Sequence, residues 1–341
     1  MYQSILAISK AFSTAFTASS VYDTTFSPSR FSMTAWNNAW NKTAADVGIR
    51  VFGATPDRNG ILELGADYTI GATIPWHTSV QLLGTVATAP GSDFAAASTP
   101  DGGQIAVCFL QEDSTLACGQ WVQWSRADTW RLLVVRGGAA PAANTSLAAA
   151  LWGWDNLSVF YQDATGAIFE SEATNLRWAA PRRITTATIG TDINVVRART
   201  STGLVKVVYV QDGTRVAECT QTGSTWSKTS IAAFPEQTGN VRFTVSYSDT
   251  KTNPGRIYYT SANGKMGAMQ GSLGNWETLD DIPSLSNVAG DSDVSASLLF
   301  PGSSEWVWHV YTATDGTLWR QTYGQSPAKW RAPVHLVPST S

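Results

Sequence analysis

The sequence predicts an all-β protein, a six-bladed β-propeller with four-stranded blades. Three observations carry the prediction. A strand-turn-strand unit ending in tryptophan, clearest at residues 157–178 (LSVFYQDATGAIFESEATNLRW), occurs six times. Its closing residues are Trp76, Trp130, Trp178, Trp226, Trp276 and Trp330, spaced 54, 48, 48, 50 and 54 apart. A period near fifty with several strands per copy is a propeller signal. No useful 3.6-residue apolar stripe appears, which argues against helices. The period also crosses the middle of the chain unbroken, which argues against two β-sandwiches.

In chain order, residues 1–30 are rich in Ser, Thr and Ala, show no period, and read as an N-terminal arm. Residues 31–341 form the propeller, with blades near 31–80, 91–135, 145–182, 192–232, 240–282 and 292–336. Each blade opens on a strand of small and apolar residues: Ser32–Trp36, Phe94–Ala97, Leu147–Trp152, Ile193–Val196, Val241–Val245 and Val294–Leu298. Small side chains suit a strand crowded near an axis. A hairpin follows in each: VFGATPDRNGILE, CFLQEDSTLAC, FYQDATGAIFE, VYVQDGTRVAE, YYTSANGKMGA and VYTATDGTLWR. Four turns carry Asn59-Gly60, Asp212-Gly213, Asn263-Gly264 or Asp315-Gly316, dipeptides that accept the positive φ of a tight hairpin. One four-stranded sheet cannot bury both faces, whereas six set radially can.

Composition excludes several classes. Net charge is −3, only 14% of residues are charged, and no basic run occurs, so nucleic acid is not an expected partner. No apolar stretch approaches a membrane span. The opening MYQSILAISKAFSTAF lacks an uninterrupted apolar core, so a signal peptide is either absent or already removed. Sequons at Asn41, Asn144 and Asn156 hint at a secretory route, with a cytoplasmic location left open. The three cysteines, Cys108, Cys118 and Cys219, have no CxxC spacing, and His77, His309 and His335 are scattered. No metal and no cofactor are therefore expected. Cys108 and Cys118 flank one hairpin; two buried thiols are the preferred reading over a cross-strand disulfide. The pairs Asp280-Asp281 and Asp291/Asp293 read as turn and capping residues rather than as glycosidase carboxylates. Fifteen Trp is a large number. Trp121, Trp124, Trp152, Trp154, Trp306, Trp308 and Trp319 exceed what blade packing needs. Most read as seam packing and some as pocket lining.

Ile49-Arg50-Val51-Phe52, Phe160-Tyr161-Gln162, the Ile168-x-Glu170 triplet and the closing Trp resemble the fungal fucose-specific lectins of the Aleuria type, from Phe31 to about Pro338. The resemblance implies sugar sites built from an Arg before the hairpin, a Glu at its end and an aromatic ring. A guanidinium fork donates to the sugar hydroxyls and a carboxylate accepts from them. Copy one keeps Arg50 and Glu63, with Trp76 as the ring. The later copies have Ala106 and Cys118, Ser158 and Glu170, Lys206 and Glu218, Arg256 and Ala268, and Trp308 and Arg320. Arg50 and Glu63 read either as a residual sugar site or as a cross-strand salt bridge on a solvated face. Lys206–Glu218 reads as a surface pair, and Glu170 as solvated. Arg320 with Trp308 reads as a seam stack or as a remodelled pocket.

Three functions remain open: a fucose-binding lectin with mostly degenerate sites, a propeller converted to bind and act on an apolar small molecule, and an interaction protein without a small ligand. Few intact copies weaken the avidity a multivalent lectin uses. The second reading is preferred, through a resemblance to the lectin-like hetero-Diels–Alderases of fungal tropolone–sesquiterpenoid pathways. It implies cofactor-free [4+2] addition of a tropolone quinone methide to a terpene alkene, by orientation and hydrogen-bond donation. Its candidate catalytic residues are His309, Arg320, Tyr161 and Glu170. Its candidate walls are Trp308, Trp319, Trp152, Trp154, Trp121 and Trp124. The expected partners are apolar substrates or a sugar, and a homodimer stays open.

Overall fold

A computed structural model describes residues 31–38, 46–54, 58–69, 77–80, 83, 86–99, 102–122, 130–152, 156–200, 203–247, 255–260, 266–279, 294–298, 306–312, 318–325, 328–330 and 334–335. The arm expected at 1–30 lies outside these residues, as do the turns at Asn263-Gly264 and Asp315-Gly316. The described residues form six antiparallel sheets of four or five strands; four strands of each pair in chain order, and in the two five-stranded sheets the last strand pairs back on the third. This is the expected all-β, four-stranded architecture.

Contact density divides the chain into two compact units, residues 1–159, 171–181 and 336–341, and residues 160–170 and 182–335. The first unit holds the sheet β1 (Phe31–Asn38), β2 (Asp46–Ala54), β3 (Ile61–Thr69) and β4 (His77–Val80). It also holds the sheet β5 (Phe94–Ser98), β6 (Gln104–Leu110), β7 (Leu116–Val122) and β8 (Arg131–Val134). The first strands lie side by side. Ala96 N donates to Ser32 Oγ at 2.9 Å, and the Thr34 and Ser98 hydroxyls meet at 2.8 Å. Phe52, Ile61, Phe94, Val107 and Phe109 fill the core between these sheets, with Trp121 and Trp130 packed against it.

The third sheet comprises β9 (Ala148–Trp152), β10 (Asn156–Gln162), β11 (Ala167–Thr174), β12 (Arg177–Trp178) and β13 (Arg182–Thr186). Its residues 160–170 and 182–186 belong to the second unit. That unit continues with β14 (Ile193–Thr200), β15 (Gly203–Asp212), β16 (Arg215–Thr222) and β17 (Thr225–Ser230). Next come β18 (Arg242–Ser246), β19 (Gly255–Thr260), β20 (Met266–Ser272) and β21 (Asn275–Leu279). The last sheet is β22 (Val294–Leu298), β23 (Trp306–Thr312), β24 (Leu318–Gln325), β25 (Ala328–Trp330) and β26 (Val334–His335). First strands again lie together: Asn194 donates to Phe243 O at 2.9 Å and accepts from Val245 N at 3.3 Å. Tyr209, Phe234, Phe243, Tyr259 and Trp276 are among the buried residues of this unit's core.

Turn chemistry sets the frame. In the third sheet Asp163 N donates to Ala167 O, leaving a three-residue loop with Gly166 at φ 86°. In the fourth, Asp212 pairs with Arg215, leaving only Gly213 and Thr214, with Gly213 at φ 65°. Positive φ at the first of two loop residues is the II′ hairpin arrangement. In the first copy the positive φ falls on Arg58, at 58°, rather than on the expected Asn59-Gly60. The fourth hairpin is thus one residue shorter than the third, and a one-residue slip turns a side chain to the opposite face.

Candidate functional site

A glutamine marks the equivalent positions in the third and fourth sheets. Gln162 donates to Gly166 O and Thr188 O and accepts from Gly190 N. Gln211 donates to Gly213 O and Gly239 O and accepts from Val241 N. Two residues before each glutamine stands an aromatic ring, Phe160 or Tyr209. Each meets the next copy's closing tryptophan edge-on: Phe160–Trp226 at 6.2 Å and Tyr209–Trp276 at 6.0 Å. Phe52–Trp130, at 5.7 Å, is the same contact in the first unit. Across the hairpin from this ring lies a glutamate: Glu63 opposite Phe52 and Glu218 opposite Tyr209. Glu170 stands opposite Phe160 by counting back from the Asp163–Ala167 bond. These three carboxylates form the candidate site, repeated with different surroundings.

At the first position, Arg50 Nε lies 2.8 Å from Glu63 Oε1. Arg50 is two residues before Phe52, so the pair is a diagonal cross-strand contact on one face. The expected alternative was a bridge on a solvated face. Instead both side chains are nearly buried, at 10% and 8% exposure. Trp130, half-buried, stands beside this position through its contact with Phe52. Trp76 lies outside the described residues.

At the third, Glu170 is fully buried, not solvated as expected. Arg182, directly opposite on β13, donates Nε to Oε2 at 2.8 Å, with Nη2 at 2.6 Å from the same oxygen. Lys206 Nζ reaches Oε1 at 2.8 Å. Arg182 also lies 5.9 Å over the Trp226 ring. Trp226 Nε1 is buried with no hydrogen-bond partner. Two cations thus surround one carboxylate, an arrangement that offsets much of its desolvation cost. In the first unit, Ser158 accepts from Trp152 Nε1 at 3.2 Å, so Trp152 is tied to its own sheet.

The fourth position corrects the expected Lys206–Glu218 pair. Because the hairpin is shorter, the residue two before Tyr209 is Val207, and Lys206 faces the other way, to Glu170. Glu218 is 4% exposed. It accepts from Trp276 Nε1 at 2.6 Å and Tyr209 Oη at 3.1 Å on one oxygen, and from Gly274 N at 2.8 Å on the other. All three donors are neutral. Burial first, then the Glu218 charge, pushes the Tyr209 hydroxyl well above its ordinary pKa, so it stays a donor.

The remaining copies differ again. Cys108 and Cys118 are paired directly across the second hairpin and form a disulfide, not the two thiols preferred from sequence. Arg256 is two residues before Tyr258, and the residue opposite that tyrosine is Ala268 rather than a glutamate. The sixth sheet's backbone register places Arg320 opposite Val310 and Trp308 two residues before it, at the recognition position. His309 pairs with Ala296, and Trp319 with Tyr311. Trp124 and Trp154 lie outside the described residues. Tyr161 is buried and stacked on Phe169 at 5.6 Å, and burial, then Asp163, raises its pKa to about 12. Trp121 packs against the core of the first two sheets. Among the described residues no group of three or more His, Cys, Asp or Glu is placed to hold a metal, and no helix is long and apolar enough to cross a membrane. Sequence reasoning missed Arg182, the swing of Lys206 and the Trp276–Glu218 bond. The facing of Arg182 and Glu170 follows only once β13 is known to pair with β11.

No protein-family model matches the chain, and no curated protein matches it in sequence. Solved structures do. AofleA from Arthrobotrys oligospora superposes with a TM-score of 0.69 at 18% identity, covering 90% of this chain and 86% of that one. The Aleuria aurantia lectin, described as a six-bladed β-propeller with a novel fucose recognition mode, gives 0.66 at 18%, covering 92% and 98%. The BP39L lectin from Burkholderia pseudomallei gives 0.64 at 18%, covering 89% and 83%. A variant of the Aleuria lectin has been solved with alpha-methyl-L-fucoside. At this identity the likeness establishes the fold: the chain is a six-bladed β-propeller of the type these lectins share.

Proposed function

We propose that this chain is a carbohydrate-binding propeller whose fucose-type recognition is concentrated at one position, Arg50 with Glu63 beside Trp130. The observation that supports this reading is the Arg50–Glu63 contact at 2.8 Å, on one face and just below the surface. Such a pair presents a donor fork and an acceptor to vicinal hydroxyls, and the adjacent ring offers an apolar wall. At Glu170 the chain's own cations occupy the carboxylate. At Glu218 the guanidinium is replaced by Val207. Titrating the protein with methyl α-L-fucoside tests the reading. Binding near one sugar per chain, lost in Arg50→Ala and in Glu63→Gln, is expected. No binding to any neutral sugar would overturn it.

The cycloaddition reading has one observation in its favour, the register that sets Trp308 and Arg320 at the sixth recognition position. Against it, Tyr161 is buried, Trp121 is packed against the core of the first two sheets, and Glu170 is held by two cations. Incubation with a tropolone quinone-methide precursor and a terpene alkene tests it. Product rate and stereochemistry equal to those without protein would reject it. The Cys108–Cys118 disulfide favours the secretory route, since such bonds persist in oxidising compartments.

A further inference from the structure

Glu170 and Glu218 occupy the same place in successive copies, yet the two cations that pair with Glu170 have no counterpart at Glu218 among the described residues. Arg182, opposite Glu170, is replaced by Thr229, opposite Glu218. Lys206, three residues before Tyr209, is replaced by Gly255, three residues before Tyr258. Arg197, paired with Lys206, is replaced by Tyr247, the residue that follows the Ser246–Arg256 pair. The glycine is needed: a Cβ at Gly255 would run into the Tyr247 and Trp276 rings. The result is a buried carboxylate bounded by Tyr209, Tyr247 and Trp276, and among the described residues no Lys or Arg forms an ion pair with it. Its second oxygen is held by Gly274 N, which belongs to the exposed β20–β21 turn, so solvent is one residue away.

A buried carboxylate without a cation is costly unless hydrogen bonds or an arriving charge compensate it. Three neutral donors supply part of the compensation here. Aromatic faces attract cations. We infer that the Glu218 position binds a saccharide carrying a protonated amine, the ammonium meeting Glu218 and the sugar ring lying against Tyr247, the half-buried ring beside it. The inference rests on the carbohydrate-binding reading but uses a different position and a different ligand charge.

The Trp276 indole N–H, bonded to Glu218, gives a direct readout by NMR, assigned with Trp276→Phe. Glucosamine disaccharide with free amines should shift that resonance saturably, and the N-acetylated disaccharide should not. Glu218→Gln, which keeps the shape and an acceptor, should weaken binding about tenfold or more. Val207→Arg, which places a guanidinium as Arg50 stands to Glu63, should abolish amine binding. If that variant misfolds, Glu218→Gln decides alone. An unmoved resonance with the free-amine sugar, or equal binding by Glu218→Gln, would overturn the inference. An equal response to tetramethylammonium would overturn its saccharide part. Fucose binding that fails while the amine binds would sink only the Arg50 reading; the reverse would sink only this one.

Discussion

The third and fourth sheets put the same three groups in the same places: a ring, a facing glutamate and the next copy's tryptophan edge. Their chemistry differs because the cations differ. Glu170 is neutralised within the chain by Arg182 and Lys206, and Trp226 Nε1 beside it goes unused. Among the described residues no such cation pairs with Glu218, which instead accepts from the corresponding indole, Trp276 Nε1, together with Tyr209 and Gly274. One position is thus a clamp closed by internal cations, and the other holds its carboxylate through neutral donors. In charge balance the first sheet is intermediate: among the described residues one guanidinium, Arg50, pairs with Glu63. A propeller repeat can therefore keep its scaffold while each copy takes its own charge balance.

The comparison breaks most visibly at Glu170. Glu170→Ala leaves Lys206 and Arg182 without their carboxylate and should cost about 3–5 kcal/mol, as for other broken buried pairs. Chemical denaturation measures it, and a loss under about 1 kcal/mol would contradict the clamp. Trp276→Phe removes a donor to a charged group and should cost about 1.5–3 kcal/mol. Trp226→Phe, which loses no such bond, should cost less. Glu218→Gln should cost only about 1 kcal/mol, because its neighbours are neutral. The smallest effect is at alkaline pH. Burial, only partly offset by Lys228, raises the Cys219 thiol from 9.0 to about 12. A raised folded pKa means full stability below the unfolded value, lost as pH rises through the folded one. Stability should fall between pH about 9 and 12, and Cys219→Ala should flatten part of that slope in a melting series. An unchanged slope would show that the thiol does not contribute.

The scaffold was legible because local rules write it. Alternation marks the strands, Gly166 and Gly213 mark turns through their positive φ, and the closing Trp sets the period. The six sheets followed from that pattern. The Arg50–Glu63 pair was legible too, since both residues fall within one hairpin. What failed depended on register or on neighbouring copies. Counting hairpins at constant length put Lys206 with Glu218, but the fourth loop is one residue shorter, so Lys206 turns to Glu170, 36 residues earlier. Trp276 reaches Glu218 across 58 residues, a distance no local pattern encodes. The Cys108–Cys118 bond required knowing that the two stand directly opposite rather than diagonal. Burial, not sequence, separates the solvated glutamate expected at Glu170 from the enclosed one observed.

On this reading, internal cations decide which glutamate can take a ligand. Crystals soaked in methyl α-L-fucoside test it directly. Sugar density beside Arg50 and Glu63, with none at Glu170 and the Lys206–Glu170 contact intact, is the predicted result. Sugar bound at Glu170, with Lys206 displaced, would contradict it.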